Sequence, residues 1–360
     1  MSTSTQKEQR EGAGPVTAMP LQHGVLPRHA PLAVLVGSAV VVGGLLALTG
    51  FNLALLAIGT AVLYAVVVYV WSRTVEGSRK STDRLVTAIV TSAFVLALVP
   101  LVSVVITVLT NGLARFDVQF FTFSMRGVVG EGGGAYHAII GTLVITGIAA
   151  LMSVPIGLLT AIYLVEYGQG RLARSITFFV DVMTGIPSIV AGLFAFALFA
   201  LFFGPGIRMG FMGSVALSVL MLPVVVRSTE EMLKLVPNEL REASYALGVP
   251  RWRTIVKVVL PTSLAGIATG VTLAIARVIG ETAPLLIAVG TTTGVNLNPF
   301  DGRMATLPVF SYYSYVSPGA IREPYLDRAW TSALTLIIIV MGLNLAARLI
   351  SRLFSPKTGR

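Results

Sequence analysis

The chain has 360 residues, of which 55% are hydrophobic and 12% are charged. An ordinary soluble domain has roughly 25% charged residues, so the composition excludes a soluble globular protein and indicates a polytopic membrane protein. The formal net charge is +10, which basic cytoplasmic loops explain better than nucleic-acid binding does. The absence of cysteine excludes disulfides and thiolate metal sites, and His23, His29 and His137 are too few and scattered for a metal cluster.

The polar stretch 1–31 lacks apolar periodicity and is predicted to be a disordered cytoplasmic tail. Apolar runs long enough to cross a hydrocarbon core of about 30 Å as helices follow it. They lie at 32–50, 52–71, 86–110, 137–165, 176–203, 209–226, 262–290 and 330–350. The sequence therefore predicts an all-α protein with about eight transmembrane helices. Arg and Lys cluster in the tails and in alternate loops, which predicts that both termini are cytoplasmic.

The first two spans, within 32–72, carry no charge and are joined by a few residues around Gly50. They are predicted to form an accessory two-helix hairpin. The fifth span contains Pro187, which removes one backbone hydrogen bond, so this span is either kinked or lines a passage. Two outer segments, 111–137 and 290–328, are rich in turn residues. Each is either solvated or a contact surface for an external protein.

A charged insert between apolar spans covers Pro237 to Pro261. Asn238 is a candidate N-cap of a short helix, and Gly248 is placed to end that helix in the left-handed conformation. A second helix is expected to start at Pro250. Apolar or small residues recur at helical spacing and predict a docking face, with an interfacial amphipathic helix as the alternative. They are Leu240, Ala243, Ser244 and Leu247.

The seventh span places Arg277 and Glu281 near the middle of the membrane. An ionised side chain at that depth costs about 2.5 to 3.5 kcal/mol, so it is expected to face protein or water and to be functional. The i,i+4 spacing predicts that the two side chains pair, and a self-neutralising structural pair is the alternative. The guanidinium of Arg277 suits a tetrahedral oxyanion. The Glu281 carboxylate can accept a hydrogen bond from the P–OH of phosphate, which fully deprotonated sulfate cannot donate.

The charged insert resembles the coupling motif of ABC-importer permeases, in which Glu-Ala-Ala is followed by Gly and by a final Leu-Pro. The matching residues are Glu242, Ala243, Ser244 (where the motif has a second Ala), Gly248, Val259, Leu260 and Pro261. Further segments resemble the PstA-type permeases of phosphate-specific importers, so that the likeness covers about 85–354. They are AIYLVEYG at 161–168, IPSIVAGLFAF at 186–196, LPVVVRSTEEMLKLVPNELREASYALG at 222–248 and AIARVIGETAPLL at 274–286.

This resemblance implies a six-helix, MetI-like type I importer core at 85–354, with a coupling region at 228–261 that inserts into a cytoplasmic ATPase. It implies a bacterial plasma or inner membrane and three kinds of partner: a homologous PstC-like permease, a PstB-like ATPase dimer and an external PstS-like receptor. The substrate path is assigned to Arg277 and Glu281. Contact with the ATPase is assigned to Arg241, Glu242, Ala243, Ser244, Leu247 and Gly248.

The chain has no G-x-x-x-x-G-K-[ST] loop, so no enzymatic activity and no cofactor are expected in it; ATP and Mg²⁺ belong to the ATPase. Two alternatives remain open at this point. One is a permease for sulfate, molybdate or another solute in the same class. The other is a secondary transporter or channel that uses Arg277 and Glu281 without ATP.

Overall fold

The computed structural model describes residues 24–50, 52–319 and 321–354. Within these residues the protein is all-helical, with fourteen α-helices, two π-helical turns (Tyr163–Tyr167 and Ile255–Val259) and no strand. In chain order the α-helices are α1 (Ala30–Thr49), α2 (Leu53–Val75), α3 (Ser78–Gly112), α4 (Val118–Thr122), α5 (Tyr136–Ile162), α6 (Arg171–Thr184), α7 (Ser188–Phe203), α8 (Gly210–Lys234), α9 (Asn238–Ala246), α10 (Arg251–Thr254), α11 (Leu260–Val278), α12 (Ala283–Ala288), α13 (Leu307–Val316) and α14 (Arg322–Phe354).

Seven of the described helical stretches are long and apolar enough to cross a membrane, which confirms the polytopic all-α fold. They are Ala30–Leu48, Ala54–Val75, Ser78–Gly112, Tyr136–Tyr167, Gly210–Lys234, Arg251–Val278 and Arg322–Leu349.

The predicted fifth span is not a straight helix. It is divided into α6 and α7, whose axes differ by 109° across the break. Pro187 has no amide hydrogen and disfavours helical geometry at Ile186, and Gly185 ends α6, so a continuous helix cannot pass through these residues. The sequence indicated a break here, and the structure makes it a sharp turn.

The chain divides into two compact units between Val105 and Ile106, within α3. This division falls inside the segment 85–354 that the sequence assigns to a single core. In the first unit, α1 and α2 pack as the expected hairpin. A Cβ atom on Gly59 would lie 2.9 Å from Cγ1 of Val42, so glycine permits the close approach of the two helices there.

Residues 1–23 of the predicted disordered tail lie outside the described residues, but the end of that tail is held in the first unit. The Leu26 amide donates a 2.9 Å hydrogen bond to Glu76 Oε1. The same carboxylate accepts from Ser72 at 2.8 Å and from both Nε and Nη2 of Arg84, at 2.5 and 2.8 Å. The prediction of disorder is therefore wrong for this short described part, because a buried carboxylate provides a partner for its backbone.

In the second unit, α5 and α8 form the centre and run parallel. Ser214 Oγ donates to the carbonyl of Ile145 at 3.0 Å, and Ser218 Oγ lies 3.4 Å from the carbonyl of Ala149. A Cβ atom on Gly157 would lie 2.7 Å from Cγ1 of Val225. Small residues thus allow the two helices to approach closely, and serine hydroxyls bond across them, as is typical of helices packed in membranes.

Helix α11 packs against α8 in the antiparallel direction. A Cβ atom on Gly266 would lie 2.3 Å from the sulfur of Met232, and one on Gly270 would lie 2.6 Å from Oγ of Ser228. Continuing this register places Arg277 level with Met221, about halfway along α8.

The two segments predicted to be solvated or docking loops are packed. Gly130 and Gly132 accept hydrogen bonds from Nη1 of the buried Arg328, both at 2.8 Å, and Gly133 accepts from Arg115 at 2.9 Å. The second segment contains α13, which packs against α14. The first segment is held because Arg328 from the second segment and Arg115 from its own beginning bind its backbone carbonyls, which turn composition does not reveal.

Candidate functional site

The coupling element forms the predicted helix–turn–helix. Helix α9 ends before Gly248, whose φ of +74° is the left-handed conformation. The Val249 amide bonds to the Ser244 carbonyl at 3.2 Å, which closes the turn. The N-cap prediction is wrong: Pro237 occupies that position, and Asn238 is the first helical residue, whose side-chain oxygen accepts a 3.3 Å bond from Arg241 instead.

Arg241, which the resemblance assigns to contact with the ATPase, faces the interior of the second unit. Its Nη2 lies 2.9 Å from Oε1 of Glu166, and the exposed fractions of these side chains are 12% and 5%. It also donates to the carbonyls of Leu233 and Val236, at 2.9 and 2.6 Å. Arg241 is therefore a positioning residue, which ties α9 to the π-helical turn after α5 and to the end of α8.

Ser244 replaces the second alanine of the coupling motif for a reason visible in the packing. Its Oγ lies 2.8 Å from Oγ1 of Thr254, and both residues are buried. The bond joins α9 to α10. The serine therefore fixes the packing of α9 against α10 in the helix–turn–helix.

Four of the assigned coupling residues lie at the surface. Glu242, Ala243, Leu247 and Gly248 are exposed, as is Leu240 one turn before Ser244. The exposed fraction of Leu247 is 84%. We call these five residues the α9 face.

An ion network beside the coupling element was not predicted. Arg227 on α8 pairs with Asp181 on α6 and, at 2.8 Å, with Glu230, which in turn binds Lys234 at 2.6 Å. The i,i+4 spacing of Glu230 and Lys234 was a readable signal. The ion pair between Arg227 and Asp181 had no such signal, because it joins side chains of two helices that are distant in sequence.

Arg277 lies in the last turn of α11 and its side chain is exposed in this chain. The stretch Arg251–Val278 is one helical rod, formed by α10, a π-helical turn and α11. At about 1.5 Å per residue it is roughly 40 Å long. The rod begins at the coupling turn and ends at Arg277, so the two candidate sites lie at opposite ends of one element.

Glu281 lies beyond the end of α11, and its predicted pairing with Arg277 is wrong for the described structure. The helix ends at Val278, and Glu281 is followed by the start of α12. No ion pair joins the two side chains among the described residues. Pro284 disfavours continuation of the helix, because its ring would clash with the carbonyl of Gly280 one turn earlier and leave that carbonyl without a hydrogen bond. Arg277 and Glu281 therefore do not share one helix, and the i,i+4 side-chain contact expected from the sequence does not form.

The start of α12 rests directly on α7. A Cβ atom on Gly192 would lie 2.6 Å from Cα of Pro284 and 2.9 Å from its carbonyl oxygen. We call this backbone contact the Gly192–Pro284 contact. It brings the start of α12, which follows the end of α11, against the second turn of α7, so both helix breaks belong to one region of the second unit.

The described part of the chain contains no group of three or more His, Asp or Glu side chains placed to bind a metal. The buried His137 packs edge-on against Phe310, with ring centroids 5.2 Å apart. His23 lies outside the described residues.

Comparison with known proteins identifies the family. Residues 153–360 match the family model described as "Binding-protein-dependent transport system inner membrane component". The chain is 50% identical over 275 residues to "Phosphate transport system permease protein PstA 1" of Mycobacterium tuberculosis strain H37Rv, covering 76% of this chain and 88% of that protein. It is 49% identical over 278 residues to "Phosphate transport system permease protein PstA" of Mycobacterium leprae, covering 76% and 90%.

Solved structures share the fold at low identity. A bacterial alginate ABC transporter in complex with a pentasaccharide-bound periplasmic protein aligns with a TM-score of 0.54 at 16% identity, covering 78% of this chain and 98% of that chain. The MetNI methionine ABC transporter in an inward-facing conformation aligns with a TM-score of 0.51 at 22% identity, covering 61% and 95%. The chain belongs to the family of inner membrane components of binding-protein-dependent transport systems, as a PstA-type permease.

Proposed function

We propose that this chain is one of two permease subunits of an ATP-driven importer of inorganic phosphate. The observation that carries the proposal is the helical rod Arg251–Val278, which joins the coupling turn to Arg277. A displacement of α9 is therefore transmitted over roughly 40 Å to the candidate substrate path by a stiff element. The named substrate of the mycobacterial relatives, together with the oxyanion chemistry of Arg277, supports phosphate as the cargo.

The positions of two proposed partners follow from what lies at the two ends of the rod, the α9 face and Arg277. The exposed α9 face docks into a PstB-like ATPase dimer, which binds ATP and Mg²⁺ and performs the hydrolysis. This places α9 and both termini in the cytoplasm. A PstC-like second permease covers Arg277, because a guanidinium facing lipid near mid-membrane depth costs about 2.5 to 3.5 kcal/mol. A PstS-like receptor delivers phosphate on the other side.

Arg277 and Glu281 have separate roles in the path. The Arg277 fork binds phosphate oxygens, and Glu281 accepts a hydrogen bond from a protonated phosphate oxygen. Fully deprotonated sulfate has no proton to offer and meets only repulsion from the carboxylate. Since Glu281 does not neutralise Arg277 in this conformation, the guanidinium is free to receive an anion.

Reconstitution of the purified chain with its three partners in liposomes tests the proposal. Labelled phosphate is expected to enter only when the receptor is outside and ATP is available to the ATPase. Uptake that continues without nucleotide would support the secondary transporter instead. Competition by sulfate or molybdate as strong as that by unlabelled phosphate would assign the chain to another oxyanion importer.

A further inference from the structure

Two arginine side chains meet over Gly290, at the end of α8 that lies opposite the coupling element. A Cβ atom on Gly290 would lie 3.0 Å from Nη1 and 3.2 Å from Cδ of Arg208, and 3.5 Å from Cδ of Arg303. Gly290 has a φ of +73°, a conformation that favours glycine. Both side chains therefore extend across a position that has no side chain of its own.

Neither guanidinium is neutralised within the described residues. No described carboxylate lies within ion-pairing distance of Arg208 or Arg303, although Asp301 is only two residues from Arg303. Two other arginines of the second unit, Arg115 and Arg328, differ from this pair because they bind the backbone carbonyls of Gly133 and of Gly130 and Gly132. Two arginine side chains without a carboxylate partner pass the same glycine, and the positive charge that they bring to this neighbourhood attracts an anion.

The segment carrying Arg303 is fixed against the start of α8, which follows Arg208. The Phe211 amide donates to the carbonyl of Pro299 at 2.7 Å, and the rings of Phe211 and Phe300 lie 4.9 Å apart. The Asn296 side chain donates to the carbonyl of Arg303 at 3.1 Å. The two arginines are therefore held together by backbone and ring contacts, and their proximity does not depend on their own flexible side chains.

This arginine pair lies one short helix away from the candidate substrate path. Helix α12 begins just after Glu281 and ends just before Gly290. Its six residues span about 9 Å. Along the chain, the glycine that the arginine pair flanks is therefore separated from Glu281 by little more than the length of α12.

We propose that Arg208 and Arg303 form an outer oxyanion site, which receives phosphate from the external receptor before it passes to Arg277. The proposal rests on the proposed phosphate-importer function and adds an earlier step to it. Guanidinium groups bind phosphate oxygens through paired N–H donors, and two of them match the two negative charges of hydrogen phosphate.

Charge-neutralising variants of the reconstituted complex test the outer site. Arg208→Gln, Arg303→Gln and the double variant are compared with Arg126→Gln, which removes an exposed arginine from the loop before α5. The double variant is expected to lower the rate of phosphate uptake about ten-fold or more at saturating receptor, since charged hydrogen bonds are lost. Receptor affinity and receptor-stimulated ATP hydrolysis are expected to stay within two-fold, and Arg126→Gln is expected to match the unaltered complex.

Three outcomes would overturn the outer site, and they are distinguishable. Unchanged uptake in the double variant would show that the arginines do not act on the substrate. A fall in receptor affinity that parallels the fall in uptake would make them a docking contact for the receptor. No ATP-dependent phosphate uptake by the unaltered complex would refute the importer function itself and the outer site with it, whereas the first two results leave the importer function standing.

Discussion

The Glu166 carboxylate lies 2.9 Å from the Arg241 guanidinium, and this pair locks the coupling helix to the centre of the second unit. Arg241 also binds two carbonyls at the end of α8, and Glu166 lies in the turn that follows α5. Helices α5 and α8 are the parallel pair at the centre of this unit. A force applied to α9 is therefore passed to three elements: α5, α8 and the rod that ends at Arg277.

Glu166→Gln is expected to uncouple ATP hydrolysis from transport. The change leaves the nearly buried Arg241 without its counter-charge, and removing one partner of a buried pair costs about 3 to 5 kcal/mol. Phosphate uptake per ATP hydrolysed by the reconstituted complex is expected to fall at least ten-fold. Glu231→Gln, an exposed acid on α8, is the control. Normal coupling in Glu166→Gln would contradict the positioning role of the pair.

Restoring the alanine of the family motif with Ser244→Ala is expected to destabilise this protein. The buried Thr254 hydroxyl would lose its partner, at a cost of about 1 to 3 kcal/mol. The double variant Ser244→Ala, Thr254→Val removes both hydroxyls and is expected to recover most of that loss. Thermal unfolding of the purified chain in detergent measures both, and equal midpoints for the single variant and the unaltered protein would contradict the prediction.

The variant Glu281→Gln distinguishes a functional role of Glu281 from a structural one. Because Glu281 and Arg277 do not pair, the variant is expected to change stability by no more than about 0.5 kcal/mol. Phosphate uptake is nevertheless expected to fall at least ten-fold, as it is in Arg277→Ala, while the complex remains assembled. A stability loss of about 3 to 5 kcal/mol with normal uptake would instead indicate a buried structural pair.

Gly248 is expected to tolerate asparagine better than valine. A Cβ atom there meets no atom within 4 Å, so the effect of substitution comes from the positive φ alone. Asparagine enters that conformation readily, whereas a branched residue is strained by about 1 to 2 kcal/mol. Gly248→Val is expected to weaken co-purification of the ATPase without reducing membrane insertion, and Gly248→Asn to do so much less. Equal recovery of the ATPase with both variants would contradict the requirement for a left-handed residue at position 248.

The hydrogen bond between the Leu26 amide and the Glu76 carboxylate is expected to persist at pH 4. The hydrogen bond from Arg84, above all, lowers the pKa of Glu76 from 4.5 to about 2. A lowered folded-state pKa contributes stability that is complete above the unfolded value and is lost as the pH falls towards 2. Hydrogen exchange of residues 24–30, corrected for intrinsic rates, is expected to show protection at pH 4 close to that at pH 7. Loss of protection near pH 4.5 would contradict the lowered pKa, and Glu76→Gln should remove protection at both values.

Local chemistry made part of this molecule predictable. The membrane-spanning helices follow from run length, and the coupling turn follows from Gly248 and Pro250, because each depends on neighbouring residues only. The pairing of Glu166 with Arg241 joins positions 75 apart and carries no local signal. The end of α11 was missed because its apolar run continues across the break, although Gly280 and Pro284 were visible as helix-breaking residues. The exposure of Arg277 and the binding of the Gly130, Gly132 and Gly133 carbonyls by Arg115 and Arg328 depend on tertiary packing.

The Gly192–Pro284 contact restricts which parts of the permease are able to rearrange. The backbones of α7 and α12 touch at the Gly192–Pro284 contact without side chains between them. Separation of the two helices there would open a void that no neighbouring atom fills. The two helix starts at the Gly192–Pro284 contact are therefore expected to move together during a transport cycle. A change of shape is then expected at residues 279–282, the short non-helical link between α11 and α12.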